Sequence, residues 1–441
     1  MRMNRIAVLL FTAGLAGPAL ATDGYFSHGY GMKAKGMGGA ATATASDTFG
    51  GAVNPAKMVW VGDRIDFGAE LFSPIRTVSR EGSTGFGGFY NGSVESDSNY
   101  FLIPEFGYNK MIRPDLSLGV TVYGNGGMNT DFRPNLAGPA FAPSCAGAQS
   151  NMLFGCGNLG VDMMQLIVAP TVAYQLNANH SIGVAPLFAY QRFKVDGLQA
   201  FAELGFSSNP NEVSNKGYDD STGWGVRIGW MGKLSDSVTL GAAYASKMKM
   251  SKFDMYKGLF AEEGGFDIPE NYNVGIAFKA TPKLLIAFDY QQINYHDVKS
   301  IANGVTNSLV VMPPVAPNRL GDANGSGFNW RDQSVFKLGM EYEYRKDLTL
   351  RAGVNYGQSP IEGNTMDDVS FNIIAPGVVE THLTFGATWT LASKSELTVS
   401  FMHAFSNSVS GPSATALLGV GGTETLKMYQ NSLGIAYGWK M

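Results

Sequence analysis

From Gln333 to Pro360 the chain alternates apolar and polar residues along two arms joined by a charged turn. Phe336, Leu338, Met340, Tyr342 and Tyr344 share one face of an extended chain; Val335, Lys337, Gly339, Glu341 and Glu343 share the other. After Arg345-Lys346-Asp347 the alternation resumes, with Leu348, Leu350, Ala352, Val354 and Tyr356 opposite Thr349, Arg351, Gly353 and Asn355. Strands in globular proteins are usually about 5–6 residues long. Each arm here approaches the ~9–11 residues that cross a bilayer at a tilt. Tyrosines close the arms, where a membrane interface favours amphipathic rings. The pattern predicts a transmembrane β-hairpin.

The same alternation recurs at 62–80, 98–112, 115–128, 161–176, 179–196, 221–234, 236–249, 269–281, 283–298, 333–345, 347–359, 379–392, 395–408 and 427–441. These are fourteen segments, and single-chain bacterial barrels have even strand numbers. Short turns such as Arg113-Pro114-Asp115, Asn177-Ala178-Asn179 and Thr281-Pro282-Lys283 alternate strictly with long connections. Short periplasmic turns and long outer loops are the barrel arrangement. The expected fold is all-β: a fourteen-stranded antiparallel transmembrane barrel over 61–441, monomeric, with both chain ends in the periplasm.

Composition supports this reading. Only 15% of residues are charged, 45% are hydrophobic, and 56 are glycine. Beyond the N-terminus no apolar run is long enough for a spanning helix, so a closed barrel is the remaining way to satisfy the backbone in lipid. Residues 1–21 read as a secretory signal: Arg2 and Arg5, an apolar core from Ile6 to Leu15, and the small-residue pattern Ala19-Leu20-Ala21. Its loss removes two positive charges from a chain whose formal net charge is −4, and no basic patch points to nucleic acid. The expected location is a Gram-negative outer membrane, in contact with its lipid and lipopolysaccharide.

Residues 22–60 do not alternate and are rich in Gly, Ala, Ser and Thr. Asn54-Pro55-Ala56 nonetheless carries a helix-start signal, an N-cap followed by proline at the first helical position. This segment is expected to fold into the lumen as a small hatch. Cys145 and Cys156, in one Pro/Gly/Ser-rich stretch of an exported chain, are expected to form a local disulfide.

Two long connections carry apolar stripes at helical spacing. One holds Leu198, Phe201, Leu204 and Phe206; the other holds Phe253, Tyr256, Leu259 and Phe260. Such stripes either pack a loop against its neighbour or form an exposed apolar binding groove. The five histidines are scattered, without an i,i+4 pair or HExxH, so neither a metal site nor a cofactor is expected. Asp322 to Gly327 matches the start of a calcium loop, but Gln333 stands where the closing glutamate belongs. An outer-wall Ser–His dyad would need same-face residues; His403 lies on the apolar face and Ser406, three residues on, is expected in the lumen, so no enzyme is expected. The lumenal charges Arg227, Lys279, Asp289, Lys337, Glu341 and Arg351 are expected to pair across strands.

The Asn54-Pro55-Ala56 triplet, IPEFGYNKM with LSLGVTVYGNGG, IPENYNVGIAFKATPKLLIAFDYQQINY and FKLGMEYEYRKDLTLRAGVNYGQSPI together resemble the FadL-type family of outer-membrane transporters over the whole mature length. Family barrels normally end on an aromatic residue, whereas this chain ends Trp439-Lys440-Met441. The resemblance implies passive uptake of hydrophobic compounds, long-chain fatty acids first and aromatic hydrocarbons as the alternative; a general porin is the rival of another class. It also implies capture of substrate between the two apolar loops and sideways release where the third strand kinks, here near Gly124, Asn125, Gly126 and Gly127. Glycines in a strand permit such a bulge.

Overall fold

The computed structural model describes residues 23–309 and 318–441; the expected signal segment, 1–21, lies outside the described residues. Fourteen long strands close an antiparallel barrel: β1 (Arg64–Glu81), β2 (Phe101–Arg113), β3 (Leu116–Asn129), β4 (Gly160–Gln175), β5 (His180–Asp196), β6 (Asp219–Lys233), β7 (Val238–Ala245), β8 (Asn271–Thr281), β9 (Leu284–Ile293), β10 (Gln333–Arg345), β11 (Leu348–Gly357), β12 (Thr381–Thr390), β13 (Glu396–Pro412) and β14 (Thr423–Lys440). Each pairs with its neighbour in sequence, and β1 closes the ring on β14 from Arg64↔Lys440 to Glu81↔Thr423. Two short strands, Gly92–Glu95 on β1 and Lys249–Met250 on β6, extend the outer rim.

The period-two alternation sets the two faces of the wall. Phe67, Leu71, Phe288, Phe336, Leu338, Leu433 and Ile435 project outward and are exposed on the lipid side, whereas the intervening residues are buried inside. The β12–β13 turn and the β10–β11 turn are short and the opposite connections long, as the alternation predicts. One parity expectation fails. The β13–β14 register shifts between Ala404 and Asn407, and within this bulge Ser406 lies exposed instead of facing the lumen.

Residues 23–61 pack against inward-facing side chains of the wall, among them Glu70, Ser181 and Glu396. They form one helical turn, Met32–Lys35, and two 3-10 turns, Phe49–Ala52 and Pro55–Trp60. Asn54 caps the last of these: its side chain accepts the Ala56 N–H at 3.1 Å, with Pro55 at the first position. Backbone meets wall closely enough to require glycine. A Cβ on Gly353 would stand 2.2 Å from the Met37 carbonyl carbon.

Lumenal charges fasten this segment. Lys35 Nζ lies 2.5 Å from Glu70 and 3.9 Å from Glu105; Lys33 Nζ lies 2.5 Å from Glu396. Burial alone would lower the Lys35 ammonium, but Glu70 and Glu105 outweigh it and hold it above its ordinary value. Arg351 and Glu341 pair across β10 and β11 at 2.7 Å, as cross-strand charges do. Asp289 and Lys337 depart from that expectation. Although opposite in the β9–β10 ladder, Asp289 accepts from Ala41 N, Thr42 N and Thr42 Oγ1, and Lys337 reaches Asp23 at 3.4 Å. Arg227 likewise donates to the Gly51 carbonyl at 3.2 Å.

Replacing Lys35 with Met strands two buried carboxylates, a loss of about 3–5 kcal/mol. Lys33 and Lys57, both buried, are then expected to become trypsin-sensitive in the folded barrel. Unchanged protection in Lys35→Met would contradict the anchoring role.

Candidate functional site

The wall has a gap at β3. Its ladder with β2 ends at Phe106↔Val122, while β2 continues alone against β1 up to Phe72↔Phe101. Beyond Val122, β3 pairs only with β4, and its register shifts between Gly124 and Gly126 with Asn125 bulged out. Gly124, Asn125, Gly126 and Gly127 therefore sit together at the bend. The unpaired edge of β3 is taken by the N-terminal segment. Phe26 bridges Gly126, Ser27 N–H donates to the Asn125 carbonyl at 3.1 Å, and Gly127 N–H donates to the Tyr25 carbonyl at 3.2 Å. A Cβ on Gly126 would lie 1.9 Å from that Tyr25 oxygen, so the approach requires glycine.

Side chains hold this plug of backbone in place. Tyr295 Oη donates to the Asp23 carbonyl at 2.7 Å and accepts from Tyr25 N–H at 3.2 Å. Asn125 Nδ2 donates to Gln165, whose amide continues to Gln191 and on to the Phe266 carbonyl. His28 stacks on His382 with ring centroids 6.1 Å apart. Burial first, then the neighbouring His382, push the His28 imidazolium well below its ordinary range.

The outer loops enclose an apolar cleft. Leu198, Phe201, Leu259 and Phe260 line it together with Phe193, Phe328 and Phe371. Phe201 meets Phe371 edge to face at 5.4 Å, and Phe260 lies 4.7 Å from Phe193. Its hydroxyls are committed elsewhere: Ser300 donates to the Gly265 carbonyl and Ser326 to the Val305 carbonyl, each at 2.5 Å. The cleft thus offers a ligand almost only apolar surface. Phe253 and Tyr256 stand behind it against Phe193, and Tyr256 Oη donates to the Gly217 carbonyl. Leu204 is half-buried and Phe206 packs 6.1 Å from Phe201; neither lines the cleft.

The helical spacing is realised as short turns, beginning with Gln199–Glu203 in one loop and Asp254–Tyr256 in the other. Gly205, at positive φ, closes the first, and in the second loop a separate turn follows at Ala261–Gly264.

A second cavity lies deeper, at the wall gap. Tyr25, Phe72, Arg76, Met128, Trp330 and Met428 are among its lining residues. Its lining adjoins that of the outer cleft. Phe328 lines the cleft and Trp330 the inner cavity, with ring centroids 6.2 Å apart; Ile374 and Ala375 divide in the same way. Thr130 Oγ1 donates to the Ile374 carbonyl at 2.7 Å, tying Ile374 to the end of β3.

A family model for outer membrane protein transport proteins (OMPP1/FadL/TodX) matches residues 26–437. The chain belongs to this family. It is an outer-membrane transporter of hydrophobic compounds. The fold is similar to that of the Pseudomonas putida toluene transporter TodX (TM-score 0.69, 16% identity, 94% of this chain and 99% of that chain). It is also similar to a Pseudomonas aeruginosa FadL homologue (TM-score 0.70, 15% identity, 95% and 99%) and to the Ralstonia pickettii toluene transporter TbuX (TM-score 0.61, 17% identity, 94% and 99%). No curated protein sequence matches the chain.

In this FadL/TodX-type barrel several cleft residues carry no local sequence signal. Phe328, Phe371 and Ile374 come from loops without periodicity. Phe193 was findable as an inward position at the outer end of β5. Asp322, the first candidate calcium ligand, instead accepts the Arg319 N–H at 2.7 Å within a turn.

Gly126→Val should displace the N-terminal segment from β3 while leaving the β1–β14 seam intact. The expected result is a folded, heat-modifiable barrel in which a thiol-reactive label at an introduced Ser27→Cys reacts at least about 10-fold faster, for loss of roughly 1.4 kcal/mol or more of docking energy. Equal labelling rates would show that the close approach at Gly126 is dispensable.

Proposed function

We propose that the protein takes long-chain fatty acids and related hydrophobic compounds passively through the outer membrane, by capture at the outer loops and sideways release into lipid. Residues 22–60 act as the hatch, and the bend at Gly124 to Gly127 is the exit. The observation that carries this reading is the placement of the two cavities, one beneath the loops and one at the wall gap, whose linings adjoin at Phe328 and Trp330 and at Ile374 and Ala375. A greasy solute gains about 0.8 kcal/mol per CH₂ buried, so an apolar cleft can draw it from the cell surface. Sideways exit then keeps it out of water.

The toluene transporters among the similar structures favour a second reading, uptake of monoaromatic hydrocarbons by the same route. A general porin fits poorly with an N-terminal segment fastened to Glu70 and Glu396 on the inner wall. We further propose that residues 1–21 are removed on export, that the barrel works as a monomer, and that its outer rim contacts lipopolysaccharide.

The test is a double substitution, Phe201→Ser with Phe260→Ser. Each lost contact should weaken capture by about 1–3 kcal/mol, roughly 10-fold to 100-fold in affinity. Uptake of oleate should fall at low concentration and recover at high concentration, with heat-modifiable mobility as the folding control. Unchanged uptake at limiting substrate would leave the cleft as packing only.

A further inference from the structure

The lipid-facing wall carries a polar row where the alternation elsewhere places apolar side chains. His403 on β13, Asn431 on β14 and Ser73 on β1 stand opposite one another in the two ladders, each half-buried on the outer face. Apolar residues flank each of them along its own strand: Phe401 and Phe405, Leu433 and Tyr429, Leu71 and Ile75. His403 Nδ1–H donates to Asn431 Oδ1 at 2.8 Å. His403 Nε2, Asn431 Nδ2 and Ser73 Oγ have no protein partner among the described residues.

Polar atoms in hydrocarbon are costly unless they are bonded, and an ionisable side chain at that depth marks a site. The open atoms here ask for a particular complement. With its proton on Nδ1, His403 accepts a hydroxyl at Nε2, and Asn431 Nδ2 donates to a carbonyl. Four residues nearer the outer end of β14, about 13 Å along the strand, Lys427 is exposed on the same face. The β13 bulge between Ala404 and Asn407 brings Ser408 opposite Lys427, and Thr77 of β1 lies on its other side, so the cation stands between hydroxyls. Glu95 stands across Thr77 on the short strand, and Lys427 makes no ion pair among the described residues. A membrane lipid with a phosphate above hydroxylated, carbonyl-linked chains offers these groups in that order. A phospholipid offers the phosphate and carbonyls but no chain hydroxyl.

We infer that His403, Asn431 and Ser73, with Lys427 above them, form a site on the outer wall for the lipid A portion of lipopolysaccharide. Lys427 takes a phosphate, and the polar row takes the hydroxyl and carbonyl of a 3-hydroxyacyl chain. The inference rests on the lipopolysaccharide contact proposed above and gives that contact a place and a chemistry.

Native mass spectrometry of the purified full chain with bis-phosphorylated lipid A tests this. Phosphatidylglycerol, anionic but without hydroxyacyl chains, is the comparison lipid. The wild type is set beside the double substitution His403→Leu with Asn431→Leu and beside Lys427→Gln, with heat-modifiable mobility as the folding control. The wild type should bind lipid A more tightly than phosphatidylglycerol. The double substitution should weaken lipid A about 10-fold and leave phosphatidylglycerol within about two-fold, whereas Lys427→Gln should weaken both about 5-fold. Lipid A affinity that neither variant changes overturns the site and leaves the general lipopolysaccharide contact standing. A wild type that binds no lipid A overturns both. A dimer that the double substitution dissolves, in place of lipid adducts, assigns the row to a second copy of the chain and overturns the site. Oleate uptake by intact cells should match the wild type in both variants, because the row faces away from the lumen. A loss of uptake would tie the row to the transport route and overturn the site.

Discussion

In a bilayer every backbone polar group must find a partner within the protein, and the edge of β3 does not find one in the barrel ladder. Above Val122 it has lost β2, and what replaces β2 is not a strand but the stretch around Tyr25 to Ser27. Two backbone hydrogen bonds, which form the Phe26–Gly126 bridge, close the wall there. The remaining arrangement of the lumen serves that contact. Tyr295 positions Asp23 and Tyr25, Lys337 holds Asp23, and the Lys35–Glu70 and Lys33–Glu396 pairs anchor the chain that follows.

This division has an energetic logic. The barrel itself is held by long ladders, such as the eighteen-residue strand β1 against β14, that cannot open without unpairing many bonds. The contact at β3 is local, and on the proposed route it opens without disturbing them. On the proposed route, this replaceable partner seals the exit at rest. The inner cavity lies at that partner, with Tyr25 from the plug and Met128 from β3 both in its lining.

Much of the barrel was legible because its cause is local. Period-two alternation and turns such as Arg113-Pro114-Asp115 specify strands wherever one face meets lipid, and the fourteen segments correspond to β1–β14. The bulge at Ser406 was not legible, because one inserted residue reverses parity without changing composition. Gly124 to Gly127 announced a weak strand, but nothing in Asp23 to Ser27 marks it as the partner, since that pairing is set by long-range packing. In the cleft, Leu198, Phe201, Leu259 and Phe260 stood out by spacing, whereas Phe371 and Ile374 come from aperiodic loop.

The central claim is that the N-terminal segment is the exchangeable partner of β3. Amide hydrogen exchange of the full chain in lipid nanodiscs, with and without oleate, tests it most directly. Without oleate, the Ser27 and Gly127 amides should be protected; with oleate their exchange should quicken while the β1–β14 amides stay protected. Free exchange at Ser27 and Gly127 in the absence of ligand, or protection that oleate leaves unchanged, would contradict the account.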